Sequence, residues 1–586
     1  MMSSSPVSSS PAGSHPLAGF FEARSVAVIG ASSDPDKLGG RPIRYFRDAG
    51  YAGAIYPVNS RSAEIQGYPA YRSVLDIPGP VDQAMLMLPA PACLAALEAC
   101  GRKGIRFVQV LSSGFGEAGP DGLAAQQALL ACARRHGIRI LGPNCLGLVS
   151  VRERFYATFS TALDGLVPVA GGIAVATQSG AFGSCAYSMA IQRGLGLSRI
   201  VATGNEADVD VAECIDYLAD DPETRVICAA IEGAGDGNRL RRALRKAADR
   251  GKPVVIMKVG TTAIGIAAAA THTGALAGND AAFDTVFREC GAWRARSIEE
   301  MLDVAEYCLV SPLPANERAV VVTVSGGLGI LMADAAEEAG LVLPPIDDAV
   351  AGRLKALLPF APVGNPYDTT AQVGAVKGGL AGVTDILLDG TDAATVLLYI
   401  AQMPAAPVRF EPTRVALTAL RERYADRCLV LVGPSDPGVR DRVVADGLMM
   451  FTDASRAMIA AGAAAAIAAR RRRMHAREAE SDGRRNDLRH GRRAGTVVSL
   501  RARADIGSEV GAKAVLADAG LPMLAETLCT SRDEAVAAAT SMGLPVVAKI
   551  VSPDIAHKTE IGGVLLGLAD PQAVAAAFDT LIDRAR

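Results

Sequence analysis

Aromatic residues are scarce in this chain, 5% of 586 with a single Trp, and only six histidines occur. With few rings and abundant Ala and Gly, the composition suits closely packed α/β layers. An excess of one charge is also lacking. With 59 Lys and Arg against 62 Asp and Glu, the net charge is -3, so a dedicated nucleic-acid binder is not expected. No uninterrupted apolar run is long enough to span a bilayer, and no membrane partner is expected. Met1 to Pro16 are rich in Ser and Pro and lack the basic start and apolar core of a signal peptide, so they read as a disordered tail. The eleven cysteines form no C-x-x-C pair and no Cys/His cluster. That pattern excludes a disulfide frame and a zinc site, predicts no metal ligands, and points to reduced thiols in the cytoplasm.

Short apolar runs alternate with helical stretches from Ser25 onward. A chain of this length holds about three to five domains, each able to bury its own core. Runs at Ser25–Ile29, Ala54–Val58, Gln83–Leu88, Phe107–Leu111 and Arg139–Leu141 read as buried strands. A second series starts at Gly172–Thr177 and a third at Ala319–Val324. This spacing predicts doubly wound parallel sheets. Each series opens with a strand, a Gly- or Ser-rich turn and a helix, a repeat of architecture and not of sequence. The expected fold class is α/β, with three Rossmann-like or flavodoxin-like domains. The boundaries expected are a tail at 1–18, then domains at 19–150, 151–300 and 301–465. Arg470 to Arg493 is basic without interleaved aromatics, so 466–500 reads as an exposed linker. Residues 501–586 start a further α+β segment.

The turns carry the candidate chemistry. Gly30, Ala31 and Ser32 follow the first strand, with Lys37 soon after, and the next helix offers unpaired N–H groups to a phosphate. The full G-x-G-x-x-G is absent and the second strand ends Pro57-Val58-Asn59 without an acid, so a nicotinamide dinucleotide is disfavoured. Ser113, Gly114 and Asn144 close later strands at the same edge. Gln178-Ser179-Gly180 and Ser325-Gly326-Gly327 each sit between a strand and a helix N-terminus, built like anion cradles. Between them lies His272, flanked by Thr271 and Thr273 in a small-residue loop, where an imidazole can act as a nucleophile toward phosphorus. Glu232 ends a strand and is placed to orient such an imidazole.

These residues resemble the NDP-forming acyl-CoA synthetases, specifically the ADP-forming acetate–CoA ligase type, relatives of succinyl-CoA synthetase. The resemblance runs in order from about Phe20 to the end of the chain. It rests on Val28–Ser32, Gly142–Asn144, Gln178–Ala181, Gly204–Asp208, His272–Gly278, Asn365-Pro366 with Asp368, and Val551–Ile555 with His557-Lys558. It implies a CoA-binding domain with Gly30, Ala31, Ser32, Lys37, Pro57, Asn59, Ser113, Gly114 and Asn144 at the CoA site, then two ligase domains. It also implies the first part of an ATP-grasp domain, with Lys549 on the nucleotide phosphates. The implied reaction interconverts acyl-CoA, phosphate and ADP with carboxylic acid, CoA and ATP. It runs through an acyl phosphate and a phosphohistidine at His272 that Glu232 steadies, with Gln178, Ser179, Gly180, Ser325, Gly326 and Gly327 holding the phosphoryl group.

The loop Gly260-Thr-Thr-Ala-Ile-Gly265 departs from relatives, which carry charged residues there. The sequence also stops inside the first ATP-grasp lobe, so the Mg²⁺ ligands are expected beyond Arg586, and a homo-oligomer or a partner chain would complete the machine. Two alternatives stay open, an acyl-CoA-binding or regulatory protein without turnover and the front part of a fused protein acyltransferase.

Overall fold

The computed structural model describes residues 15–266, 279–489, 509–518, 521–552, 555 and 558–585. They fall into two compact units, Met1–Ala476 and Arg477–Arg586. His272 lies outside the described residues.

The first unit contains three α/β sheets, the first and third all parallel and the second parallel with two antiparallel strands at one edge. Strands β1 (Ser25–Ile29), β2 (Ala54–Val58), β5 (Gln83–Leu86), β6 (Phe107–Val110) and β7 (Arg139–Leu141) form the first, in the order β2-β1-β5-β6-β7, with a two-stranded ribbon of β3 (Glu64–Ile65) and β4 (Tyr68–Pro69) beside it. The second contains β8 (Gly147–Ser150), β9 (Phe155–Thr158), β10 (Ala170–Thr177), β11 (Leu197–Ala202), β12 (Val226–Ile231), β13 (Val254–Lys258) and β14 (Trp293–Arg294), in the order β14-β13-β12-β10-β11-β8-β9. The third contains β15 (Ala319–Thr323), β16 (Tyr367–Asp368), β17 (Thr395–Tyr399), β18 (Cys428–Val432) and β19 (Met449–Phe451), in the order β16-β15-β17-β18-β19. Helices cover both faces of such sheets, which is why β12 is buried at every residue and reads as a continuous apolar run. The expected α/β class with repeated parallel sheets is what the structure shows.

Two local features differ from the sequence reading. Residues 147–150, expected to end the first domain, pair antiparallel with β11. Together with β9 they cover an edge of the second sheet that would otherwise expose unpaired backbone groups. Of the stretch 466–500 expected to be an exposed linker, the described residues continue the helix Ala454–Arg489. Its Ala460, Ala461, Ala463 and Ala464 are fully buried, and at Gly462 a Cβ would lie 2.2 Å from the carbonyl oxygen of Ala339. Small residues are needed because backbones touch here. The arginines that follow close loop ends: Arg470 donates to Ala292 O at 2.6 Å and its guanidinium lies over Trp293, while Arg472 donates to Pro314 O at 3.2 Å. Their stems pack while their heads satisfy carbonyls.

The second unit holds the helices Glu509–Asp518, Arg532–Met542 and Pro571–Ala585, with β20 (Val546–Lys549) antiparallel to β21 (Val564–Leu568). Among the described residues no helix is long and apolar enough to cross a membrane.

Candidate active site

In chain order, the first five parallel strands of each sheet are arranged 2-1-3-4-5. Ligands bind such sheets beyond the strand C-termini, where the order reverses between the first strand and the third. For the second and third sheets these points lie between β10 and β12 and between β15 and β17. A signal that a reading of single turns passes over joins them: Thr177-Gln-Ser-Gly-Ala-Phe-Gly183 and Thr323-Val-Ser-Gly-Gly-Leu-Gly329 share the pattern Thr-x-Ser-Gly-x-x-Gly.

The shared residues do the same work in both places. The Thr177 hydroxyl donates to Ser179 O at 2.9 Å, and the Thr323 hydroxyl donates to Ser325 O at 2.8 Å. Each bond folds the turn so that the following helix, Gly180–Gln192 or Gly326–Glu338, starts at the strand's end. Gly183 and Gly329 then pack on the threonines, where a Cβ would fall 2.6 Å from Thr177 Oγ1 and 3.1 Å from Thr323 Cγ2. Thr203 and Thr369 brace the neighbouring strands, each donating its backbone N–H and its hydroxyl to Thr177 O or Thr323 O respectively. The outcome is two helix N-termini with free N–H dipoles at two switch points.

Acidic groups gather at the first cradle. The Gln178 amide donates to Glu206 at 2.5 Å and to Gly233 O at 3.0 Å. Its oxygen accepts the backbone N–H groups of Glu232 and Gly233. Glu232 is thereby fixed by its backbone, while its buried Oε2 has no hydrogen-bond partner among the described residues. Such an orphaned acceptor is costly unless a donor completes it. Glu206 also accepts from the Thr203 hydroxyl at 2.9 Å and from Val211 N–H at 2.8 Å. Burial pushes its carboxyl up to about 7, against the lowering effect of these donors. Glu206 is a residue whose importance the sequence reading missed, because a motif match says nothing about burial. Its loop fits tightly to the first sheet: at Gly204 (φ 64°) a Cβ would lie 2.4 Å from Pro143 O, and Asn205 donates to Glu117 and Gln126.

At the first sheet the structure brings Gly30, Ala31, Ser32 and Asn59 together. Gly30 has φ 93° and a Cβ there would meet Met87 O at 2.4 Å, while Asn59 Nδ2 donates to Ala31 O at 2.8 Å. Lys37 extends into solvent. Pro57 is buried within β2, its carbonyl taken by Tyr71 N–H, so it offers this cluster no free polar atom. Ser113 and Gly114 are exposed, but the backbone N–H groups of Gly114 and Phe115 both donate to Glu117, at 2.6 and 3.2 Å. A carboxylate thus occupies a nest that an anionic ligand would fit. Asn144 (φ 55°) points to Asn205 across 3.3 Å.

Sequence spacing hid a cluster of Glu98, Cys132 and His136, whose ligand atoms lie within 4.8 Å of one another. Hydrogen bonds already account for it. Glu98 accepts from His136 at 2.8 Å, from Arg135 at 3.0 Å and from Cys132 at 3.3 Å, and burial pushes the Cys132 thiol up, away from thiolate. In the second unit Lys549 Nζ donates to Glu509 at 2.5 Å and Glu526 at 2.6 Å, Lys513 pairs with the same two carboxylates, and Lys558 also pairs with Glu509.

Comparison with known proteins decides the family. Residues 24–150 match a CoA binding domain, 170–308 a succinyl-CoA ligase like flavodoxin domain, and 499–586 an ATP-grasp domain. Acetate–CoA ligase [ADP-forming] I of Archaeoglobus fulgidus is 33% identical over 565 residues, covering 96% of this chain and 79% of its own length. The chain belongs to the ADP-forming acid–CoA ligase family. It is accordingly an acid–thiol ligase whose reaction passes through an acyl phosphate and a phosphohistidine, related to succinyl-CoA synthetase. Another ligase of the family, 4-hydroxybutyrate–CoA ligase [ADP-forming] of Nitrosopumilus maritimus, is 29% identical over 569 residues, covering 96% of this chain and 80% of its own length. Among solved structures, a dinucleotide forming acetyl-coenzyme A synthetase 1 of Ca. Korarchaeum cryptofilum in complex with phosphate and ADP superposes with a TM-score of 0.70 at 28% identity, covering 78% of this chain and 98% of that one.

Proposed function

We propose that the first cradle is where phosphoryl transfer happens in this ligase. An oxygen of inorganic phosphate attacks the acyl-CoA thioester carbonyl, the C–S bond breaks, and CoA leaves as the thiol after taking a proton. An imidazole nitrogen of His272 then attacks phosphorus, and the bond between phosphorus and the bridging oxygen breaks to release the carboxylate. ADP finally accepts the phosphoryl group from His272, with Lys549 on the nucleotide phosphates. Ser179, Gly180 and the turn before them on one side, and Ser325, Gly326 and Gly327 on the other, neutralise the travelling charge. Such transfers depend on positioning and charge more than on covalent help. The first-sheet residues Gly30, Ala31, Ser32 and Asn59 form the CoA site, with Lys37, Ser113, Gly114 and Asn144 at its rim.

The observation that carries this reading is Glu232 Oε2, a buried acceptor without a hydrogen-bond partner among the described residues at the switch point, suited to an imidazole N–H. Mg²⁺ belongs to the reaction, but Glu509 and Glu526 are held by lysines and are the wrong set for it, so no step is assigned to the metal. The relay requires the ATP-grasp segment to reach His272 within one chain or between chains. A cytoplasmic location belongs to this reading, since all eleven cysteines are free thiols, which fits a reducing compartment.

The test is to incubate the purified chain with labelled inorganic phosphate and a panel of acyl-CoAs, with His272→Ala beside it. Acid-labile, base-stable label that appears with one acyl-CoA class and vanishes in the variant is expected, and it names the acid. Binding of CoA without label from any acyl-CoA would overturn the reading.

A further inference from the structure

The registers of the second and third sheets give residue-for-residue equivalents. Thr177 pairs with Ala230 as Thr323 pairs with Tyr399. Ala230 in turn pairs with Met257, and Tyr399 with Val432. One and two residues further on, Lys258 corresponds to Gly433 and Glu232 to Ala401. Both charged residues at the end of one sheet are therefore small and neutral in the other. At Gly433 the place is closed, since a Cβ would lie 2.6 Å from Ala401 O. The sheet architecture does not need a cation at this position.

Lys258 is nevertheless a buried cation, 7% exposed, and burying an ammonium is costly unless something is gained by it. Its hydrogen-bond partners among the described residues are carbonyls. Nζ donates to Val259 O at 2.5 Å and to Gly260 O at 3.4 Å, and it lies 5.1 Å from the centroid of the Phe283 ring. Val259 and Gly260 begin the segment of sequence that carries His272. Phe283 stands in the helix Asp280–Glu289 that follows that segment, and Arg294 grips Asp280 at its first turn with two bonds, 2.7 and 3.0 Å. Burial, the largest influence on Lys258, lowers its pKa, while the charges of Asp280 and Glu232 act the other way.

We propose that Lys258 is a positioning residue of the phosphoryl relay: its ammonium ties the backbone where the His272 segment departs to the helix where it returns, and sets a positive charge on the strand end beside Glu232. This rests on the roles given above to His272 and Glu232. It acts on the second chemical step alone, because acyl phosphate forms before His272 is used.

The experiment compares wild type, Lys258→Met and Lys258→Arg in the full chain. Methionine keeps the stem against Phe283 and removes the charge and both backbone bonds. Arginine restores a charge that can still lie on the ring. Two products are followed from acyl-CoA and labelled phosphate: phosphohistidine, and labelled acyl phosphate trapped by rapid quenching and separated from free phosphate by chromatography. In Lys258→Met the labelling rate should fall roughly tenfold to a hundredfold, as for a misplaced catalytic group. Trapped acyl phosphate should hold or rise, and Lys258→Arg should recover part of the labelling. Wild-type labelling in Lys258→Met would overturn the proposal. So would loss of both products together, which marks a merely structural residue, or no recovery in Lys258→Arg with its acyl phosphate intact. Absence of label in the wild type would overturn the relay reading, and this proposal with it.

Discussion

The two cradles of the first unit are built from one pattern and differ in what surrounds it. Thr177–Gly183 and Thr323–Gly329 share their threonine-to-carbonyl bonds, their packed second glycine and their bracing threonines. Both therefore present a helix N-terminus, the element that favours an anion. The second has the Asp368 carboxylate, whose Oδ2 would lie 3.1 Å from a Cβ at Gly326; among the described residues it is the first that has charged groups at the ends of its next two strands. Where the first has Gln178, Glu232 and Lys258, the second has Val324, Ala401 and Gly433. A helix end can hold a phosphoryl group but cannot orient an imidazole. The difference teaches how binding and chemistry separate on two copies of one pattern: under the proposed function both halves hold charge, and one half also positions the nucleophile.

The sharpest way to break this comparison is to move its carboxylate. Glu232→Gln keeps the side chain's size and its backbone bond to Gln178, and removes the charge that would face a histidine. Phosphohistidine labelling should fall by about 10²–10⁴-fold, the range for losing a positioned acid–base partner. Ala401→Glu, alone or added to Glu232→Gln, should restore nothing, since the proposed function assigns His272 to the first cradle. Near-normal labelling in Glu232→Gln, measured as an initial rate at saturating acyl-CoA, would dissolve the distinction between the cradles.

Much of this was legible in the sequence because parallel strands covered on both faces leave an apolar signature, and because Gly and Ser after a strand mark a phosphate-sized turn. Ser25–Ile29, Ala54–Val58 and Arg139–Leu141 were found to the residue for that reason. Partnership was not legible. The Gln178 amide reaches Glu206 and Gly233 across 28 and 55 residues, and no periodicity encodes that. Residues 147–150 looked like the end of one domain because a short strand carries no mark of which sheet it joins. The arginines of 470–472 looked solvated because their charge is visible in sequence and the packing of their stems is not.

Acidity gives a second, smaller contrast. The Glu206 carboxyl is pushed up to about 7 by burial beside the first cradle, whereas Thr370-Ala371-Gln372, which follows Thr369 at the second, carries no acid. A raised carboxylate pKa means that the folded chain keeps a proton that the unfolded chain has released. Stability is then full below about pH 4.5, falls as the pH rises toward about 7 and stays level above, with a total loss of roughly 3 kcal/mol. Denaturant unfolding of the wild type from pH 4 to 8 should show this decline, and Glu206→Gln should lack it. Equal slopes in the two proteins would mean that Glu206 ionises without hindrance and does not distinguish the cradles.

The smallest effect separates the two serines. Ser179 Oγ accepts the backbone N–H of Phe182 at 3.4 Å, a long bond that still caps the helix. The Ser325 side chain caps no backbone N–H of its helix. Truncating a helix cap costs about 0.5–2 kcal/mol, and the length of the Ser179 bond places Ser179→Ala near the lower end. Ser325→Ala should leave stability within about 0.5 kcal/mol of the wild type, as for a substitution that breaks no fold contact, and should instead raise the phosphate concentration needed for half-maximal labelling. That pairing is diagnostic because one hydroxyl caps its helix and the other does not, leaving the second for the ligand in the proposed function. Equal destabilisation by both changes, with phosphate dependence untouched, would make Ser325 a structural residue and leave the second cradle without its proposed role in holding charge.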